Sequence, residues 1–153
     1  MDLQLRGKRA LVTGSTAGIG FAAAAGLYKE GVSVVINGRT RERVEQAVGQ
    51  IRGLGGDGQV SGIAVDLSTA NAVAHLVGEL PEMDILVNNL GIFEPKPFEE
   101  IPDEDWLRFF ETNVMSGVRL TRHYLPAMQR QDWGRIVFVS SDSGLQIPVE
   151  MIH

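Results

Sequence analysis

A glycine-rich stretch near the N terminus constrains the fold of this chain more than any other feature. The apolar run Arg9-Ala10-Leu11-Val12 reads as a strand, and it leads directly into Thr13-Gly14-Ser15-Thr16-Ala17-Gly18-Ile19-Gly20. The alanine-rich run over residues 21–25 then reads as the start of a helix. A turn of this kind holds phosphate, because backbone N–H groups and the helix N terminus face the anion.

The three glycines of this turn have separate expected roles. Gly14 permits the tight turn, Gly18 lets backbone amides approach the anion, and Gly20 lets the helix pack closely on the strand. The sequence therefore predicts cofactor contacts at these glycines and at Ser15, Thr16 and Ile19. Glycines that serve packing alone are the alternative.

Strand-like and helix-like runs alternate along the whole chain. Runs rich in Val, Ile and Leu predict strands at about 9–13, 32–37, 60–65, 84–88 and 135–140, and helical patterns lie between them at 18–30, 40–53, 68–80 and 103–130. Because such crossovers are right-handed, the pattern predicts an α/β fold with a doubly wound parallel sheet of Rossmann type and strand order 3-2-1-4-5. Residues 1–153 are expected to form a single nucleotide-binding domain.

Composition excludes several classes of partner. The net charge of −5 argues against a nucleic-acid surface, and no apolar run approaches the length of a membrane span. The chain has no cysteine and a polar start, which favours a cytoplasmic protein. The three histidines, His75, His123 and His153, lack metal-ligand spacing, so no metal site is expected.

Four motifs in order resemble those of the short-chain dehydrogenase/reductase family, including its 3-oxoacyl-acyl-carrier-protein reductase-like members. They are the TGxxxGIG turn, Asn88-Asn89-Leu90-Gly91 after the fourth strand, Asn113 in a helix, and Ser141 after the fifth strand. Leu90 departs from the family's usual alanine. The family's Tyr-x-x-x-Lys motif is absent from the 153 residues, so we expect a C-terminally truncated domain.

The resemblance implies how a dinucleotide would be held. An acid at the end of the second strand binds the ribose of NAD, whereas Arg39 stands there and favours the 2′-phosphate of NADP(H), with Thr40 adding a hydroxyl. Solvation of a helix start by the arginines at 39, 41 and 43 is the alternative, and NAD(H) is the alternative cofactor. In the family an acid at the position of Asp66 binds adenine together with the next backbone amide, at Leu67; Asp66 capping the following helix is the other reading.

The residues after the fourth strand complete the expected cofactor site. Asn89 and Gly91 stand at the carboxyl edge of the sheet, where ligands of doubly wound folds bind, although a plain turn explains them too. The apolar helix residues Trp106, Phe109, Phe110, Val114 and Leu120 are expected to belong to the core.

The resemblance also implies hydride transfer between a nicotinamide and a small carbonyl or alcohol substrate. Ser141 would hold the substrate oxygen, and Asn113 would interrupt its helix and position a water; capping or turn formation is the alternative for Ser141. Without the family's tyrosine, the 153 residues are expected to be nearly inactive. One interpretation is that they are a fragment of an NADP(H)-dependent reductase that forms a homodimer or homotetramer. The alternative is a natural truncation that binds a cofactor or a partner as a pseudoenzyme.

Overall fold

Five parallel strands form one sheet in the order β3-β2-β1-β4-β5, as the alternating pattern predicts. A computed structural model describes residues 2–153 of the chain. The strands are β1 Arg9–Val12, β2 Ser33–Gly38, β3 Val60–Ala64, β4 Ile85–Asn88 and β5 Arg135–Phe138. The predicted α/β fold and its strand order are therefore confirmed, with strand ends that differ by one or two residues.

The helices lie on both faces of this sheet. They are α1 Gly18–Lys29, α2 Arg41–Gly53, α3 Ala70–Glu79, α4 Asp103–Phe110 and α5 Ser116–Arg130. A π turn, Glu111–Met115, joins α4 to α5, so the single helix predicted over 103–130 is interrupted at its middle. Short 3-10 turns lie before α4, at Phe98–Glu100, and after β5, at Asp142–Gly144 and Val149–Met151.

Alternate strand residues supply two separate cores. Val12, Val34 and Ile85 pack against α1 and α2 on one face of the sheet. Leu11, Val35 and Leu86 are neighbours in the strand register and pack against α3 and α5 on the other face. Side chains alternate between the faces of a strand, so continuous apolar strands fill both cores.

The apolar surface of α4 and α5 is only partly core. Phe109 and Leu120 are buried, but Phe110 is 54% exposed and Val114 is 42% exposed. The expectation that the whole surface belongs to the core is therefore wrong at Phe110 and Val114, and also at Trp106, which is 38% exposed. A stripe of apolar residues along a helix predicts that this face is covered by other parts of the protein. Within the described residues, the sheet covers only part of the apolar face of α4 and α5.

Two helix starts offer a matched test of side-chain capping. Thr69 precedes α3 and its hydroxyl accepts a hydrogen bond from Ala72 N at 3.2 Å, whereas Thr40 precedes α2 without a side-chain cap bond. We expect Thr69→Ala to lower the free energy of unfolding by about 1 kcal/mol, because a helix N–H loses its partner.

The control variant Thr40→Ala is expected to lower that free energy by less than half as much. Urea titration followed by circular dichroism measures both. Equal losses in the two variants would show that the Thr69 hydroxyl does not stabilise α3.

Candidate cofactor site

The glycine-rich turn lies between the end of β1 and the start of α1. Gly14 and Gly18 each have φ of 59°, a left-handed conformation that other residues adopt at a cost. A side chain at Gly20 would meet Asn89 and approach Gly14 O within 2.9 Å. Gly20 therefore lets α1 lie close to the turn itself and to the segment after β4, whereas the sequence predicts close packing of the helix on a strand.

Ser15 and Thr16 have different environments within this turn. The Ser15 side chain is fully buried, and its hydroxyl donates to Val12 O at 2.6 Å and accepts from Asn37 N at 3.0 Å. The Ser15 hydroxyl is thus committed to the protein and holds the turn against β2. Thr16 instead lines an open cavity.

Asn37 is a buried polar residue that connects three segments and that sequence reasoning did not select. Its Oδ1 accepts from Gly14 N at 3.3 Å, and its Nδ2 donates to Val65 O at 3.0 Å and Ile63 O at 3.4 Å. These bonds join the glycine-rich turn to the ends of β2 and β3. The sequence feature that indicates this role is the position of Asn37 directly after the apolar run Val34-Val35-Ile36.

Thr13 and Asn89 connect the same turn to the end of β4. The Thr13 hydroxyl accepts from Asn89 N and Leu90 N, both at 3.0 Å, and donates to Val87 O at 3.3 Å. Asn89 Nδ2 donates to Thr13 O and Gly14 O, each at 3.0 Å. The side chain of Asn89 therefore fixes backbone at the site, and any contact with a cofactor stays a prediction.

A cavity of about 270 Å³ opens at the carboxyl ends of these strands, where ligands of doubly wound sheets bind. It brings together six residues that the sequence predicts for cofactor binding, namely Gly14, Thr16, Arg39, Asp66, Leu67 and Gly91. It also includes Asn37, Arg43, Arg108 and Thr112, which sequence reasoning did not assign to the site. The other predicted cofactor contacts, Ser15, Gly18, Ile19, Gly20, Thr40 and Asn89, do not line this cavity.

Asp66 forms a local turn and does not cap α3. Its Oδ1 accepts from Ser68 N at 3.1 Å, and the capping residue of α3 is Thr69, three positions later. The alternative reading of Asp66 as a helix cap is therefore wrong. The second carboxylate oxygen of Asp66 stays available at the cavity.

Four charged side chains tie the loop after β4 to α4 at the cavity rim. The Arg108 guanidinium donates to Glu94 at 2.8 Å and to Asp105 at 3.0 Å, and Lys96 contacts the same two carboxylates. Hydrogen bonds from Arg108 and Lys96 lower the pKa of Glu94, and those from Lys96 and Arg108 lower the pKa of Asp105. Both carboxylates therefore stay ionised near neutral pH and orient Arg108.

Asn113 lies in the π turn, which confirms the predicted interruption of the helix. Its Oδ1 accepts from Ile92 N at 2.7 Å and its Nδ2 donates to Ile92 O at 3.0 Å. Both ends of the amide therefore hold the loop after β4, and the predicted contact with water stays a prediction.

The Ser116 side chain forms a hydrogen bond to the backbone at the end of this turn. Its backbone N–H bonds to Glu111 O, five residues back, so Thr112 O lacks the partner that a regular helix supplies. The Ser116 hydroxyl donates to Thr112 O at 2.6 Å instead. The side chain thereby adds a hydrogen bond to the irregular backbone beside the cavity.

Comparison with known proteins identifies the family. The model of the short chain dehydrogenase family matches residues 8–152. The chain belongs to the short-chain dehydrogenase family. The uncharacterized oxidoreductase YvaG of Bacillus subtilis is 48% identical over 153 residues, which is 100% of this chain and 58% of that protein.

Two further relatives have more specific names. The 3-oxoacyl-[acyl-carrier-protein] reductase FabG of Escherichia coli is 35% identical over 142 residues, covering 93% of this chain and 58% of that protein. The structure of L-sorbose reductase from Gluconobacter frateurii with NADPH and L-sorbose matches with a TM-score of 0.93 at 33% identity, covering 99% of this chain and 59% of that one. The chain thus spans under two thirds of these relatives.

The predicted active-site serine of this short-chain dehydrogenase lies outside the cavity. Ser141 stands three residues after β5, and its hydroxyl accepts from Ser143 N at 3.1 Å and contacts Asp142 Oδ1 at 3.2 Å. The turn-forming alternative is therefore realised here, and the role with substrate stays a prediction.

The two tyrosines of the chain lie in the cores, away from Ser141. Tyr28 belongs to the core under α1 and α2, and Tyr124 donates to Leu80 O at 2.8 Å in the other core. Burial raises the pKa of Tyr124. Neither phenol is placed to exchange a proton with a substrate.

The Thr13 hydroxyl offers a direct test of the links at the site. Thr13→Val keeps the side-chain shape, and we expect it to lower the free energy of unfolding by about 2–4 kcal/mol, because buried backbone groups lose their partner. Thr13→Ser retains the hydroxyl and is expected to lose less than about 1 kcal/mol. Chemical denaturation measures both, and a stable valine variant would contradict the role of the hydroxyl.

Proposed function

We propose that this short-chain dehydrogenase binds NADP(H) and forms part of an oxidoreductase that acts on a carbonyl or alcohol substrate. The observation that carries the proposal is the cavity that joins the glycine-rich turn to Arg39 and Asp66. No carboxylate stands at the end of β2, where Asn37, Gly38 and Arg39 follow Ile36. A cationic side chain at this point favours a 2′-phosphate over a free ribose hydroxyl.

The residues of the cavity match the chemistry of the adenosine end of the cofactor. Arg39 would bind the 2′-phosphate through parallel N–H groups, and Asp66 would accept from the adenine amino group, with the Leu67 amide facing the ring. A volume of about 270 Å³ suits this end of a dinucleotide rather than all of it. The NADPH complex of the related L-sorbose reductase supports this choice, with NAD(H) as the alternative.

The glycine-rich turn would hold the pyrophosphate. Its positive-φ glycines, Gly14 and Gly18, lie between β1 and the N terminus of α1, where an anion is favoured. Gly18, Ile19 and Gly20 would contribute backbone at this end, outside the adenosine cavity. When bound, the nicotinamide supplies or accepts the hydride.

Ser141 and Asn113 are the residues proposed to act near the substrate. Ser141 would hold the substrate oxygen after its hydroxyl leaves the local turn, and Asn113 fixes the loop at Ile92. Because both tyrosines are buried in the cores, the 153 residues offer no phenol for proton transfer. This supports a second candidate for the chain on its own, a domain that binds the cofactor or a partner without turnover.

The remaining proposals concern partners and location. A small carbonyl or alcohol is the proposed substrate class, and the related L-sorbose reductase with bound L-sorbose supports it. The net charge of −5 argues against nucleic acid. None of the helices within residues 2–153 is long and apolar enough to cross a membrane. We expect a cytoplasmic homo-oligomer that covers the exposed apolar residues Leu107, Phe110 and Val114.

Binding of the two reduced cofactors tests the proposal. We expect the chain to bind NADPH at least tenfold more tightly than NADH, and Arg39→Ala to reduce that difference by weakening NADPH alone. Cofactor fluorescence titration measures both dissociation constants. Equal effects of Arg39→Ala on NADPH and NADH would refute the assignment of the phosphate site.

Turnover tests whether the 153 residues catalyse the reaction on their own. With NADPH and a simple ketone, we expect oxidation by the 153 residues at least 10²-fold slower than by a whole reductase of the family, because acid–base help of about 10²–10⁴-fold is missing. Absorbance at the NADPH band measures the rate. Rapid turnover would contradict binding without catalysis, and retained activity in Ser141→Ala would then contradict the role of Ser141.

A further inference from the structure

Three arginines stand at alternate positions around the start of α2, and they have different surroundings. Arg41 pairs with Glu45 through a contact of 2.6 Å along the helix, and its side chain is 87% exposed. Arg39 and Arg43 instead line the cavity beside Thr16 and Asp66. Across residues 2–153, no carboxylate lies within 4.0 Å of the charged nitrogens of Arg39 or Arg43.

The backbone that carries Arg43 is held firmly beside the end of β2. The next residue, Val44, is buried, and a side chain at Gly38 would come within 3.1 Å of Val44 Cγ2. The first turn of α2 therefore lies directly on the strand end that presents Arg39. A larger residue at position 38 would crowd this approach, because its Cβ would also overlap the Thr16 side chain.

Two cations at this place are unfavourable without an anion between them. Arg43 lies in the first turn of α2, where the helix dipole favours acidic rather than basic side chains. Arg39 precedes the same helix by two residues. The two positive charges also repel each other. A dianion bound between them would offset both this repulsion and the unfavourable position of Arg43 at the helix N terminus.

We propose that Arg43 is a second specificity residue, which together with Arg39 clamps the 2′-phosphate of NADP(H). A phosphate monoester carries a charge of about −1.5 to −2 at neutral pH, which matches two guanidinium groups. One guanidinium binds two phosphate oxygens in parallel, and the second binds the third oxygen. The inference rests on the proposed binding of NADP(H), and it assigns a role to a residue of the helix rather than of the strand end.

Two small nucleotides that differ only in the 2′-phosphate test the clamp. Adenosine 2′,5′-bisphosphate and adenosine 5′-monophosphate are titrated into the 153-residue chain by calorimetry. We expect Arg43→Ala to weaken the bisphosphate about 5- to 20-fold and the monophosphate less than twofold. Arg43→Lys keeps the charge without the planar fork, so it is expected to lie between the native chain and Arg43→Ala.

Arg41→Ala is the matched control, because Arg41 lies on the same helical turn and pairs with Glu45. We expect it to change neither dissociation constant by more than twofold. Circular dichroism checks that each variant retains native helix content. The native affinity for the bisphosphate is also expected to fall more steeply with salt than that of Arg43→Ala.

The possible failures are distinguishable. If Arg39→Ala weakens the bisphosphate but Arg43→Ala and Arg41→Ala do not, the clamp is wrong and the proposed cofactor stands. If Arg43→Ala weakens both nucleotides equally, Arg43 does not recognise the 2′-phosphate and the clamp is also wrong. If the native chain binds neither nucleotide, the proposed function fails together with the clamp.

Discussion

The candidate site depends on buried hydrogen bonds between side chains and backbone at the carboxyl edge of the sheet. Asn37 links the glycine-rich turn to the ends of β2 and β3, and Thr13 links the same turn to the end of β4. Backbone groups in a tight turn cannot pair within a strand ladder, so side chains must satisfy them. These two residues therefore fix four segments of the chain around one cavity before any ligand is bound.

Much of the architecture could be predicted because it depends on local pattern. Alternating apolar strands and amphipathic helices specify a doubly wound sheet once handedness is considered, and the glycines of residues 14–20 identify the turn that we propose to hold phosphate. The roles of Ser15 and Ser116 could not be predicted, because they follow from backbone irregularities. Exposure of Phe110 was missed for another reason: periodicity indicates an apolar face without indicating what covers it.

The site combines rigid and adaptable parts. The turn and strand ends are fixed by buried bonds, whereas Arg39 and Arg43 project from the start of α2 without ion-pair partners among the described residues. Arg108 also lines the cavity, and it is restrained by Glu94 and Asp105. The proposed preference for NADP(H) would therefore depend on Arg39 and Arg43, while the buried bonds hold the turn in place whichever nucleotide binds.

The π turn between α4 and α5 has a consequence for how the length of this chain can vary. An α-helix advances about 100° per residue, so an added residue would rotate everything after it by that angle, but a π turn holds one residue more than an α turn and takes up this rotation. Leu120, Tyr124 and Met128 after the turn are all buried on the face of α5 that meets the sheet. Deleting one residue from 111–115 should therefore convert the π turn to regular α-helix and leave Tyr124 and Met128 facing the sheet, whereas deleting a residue within α5 would rotate part of its buried face by about 100°.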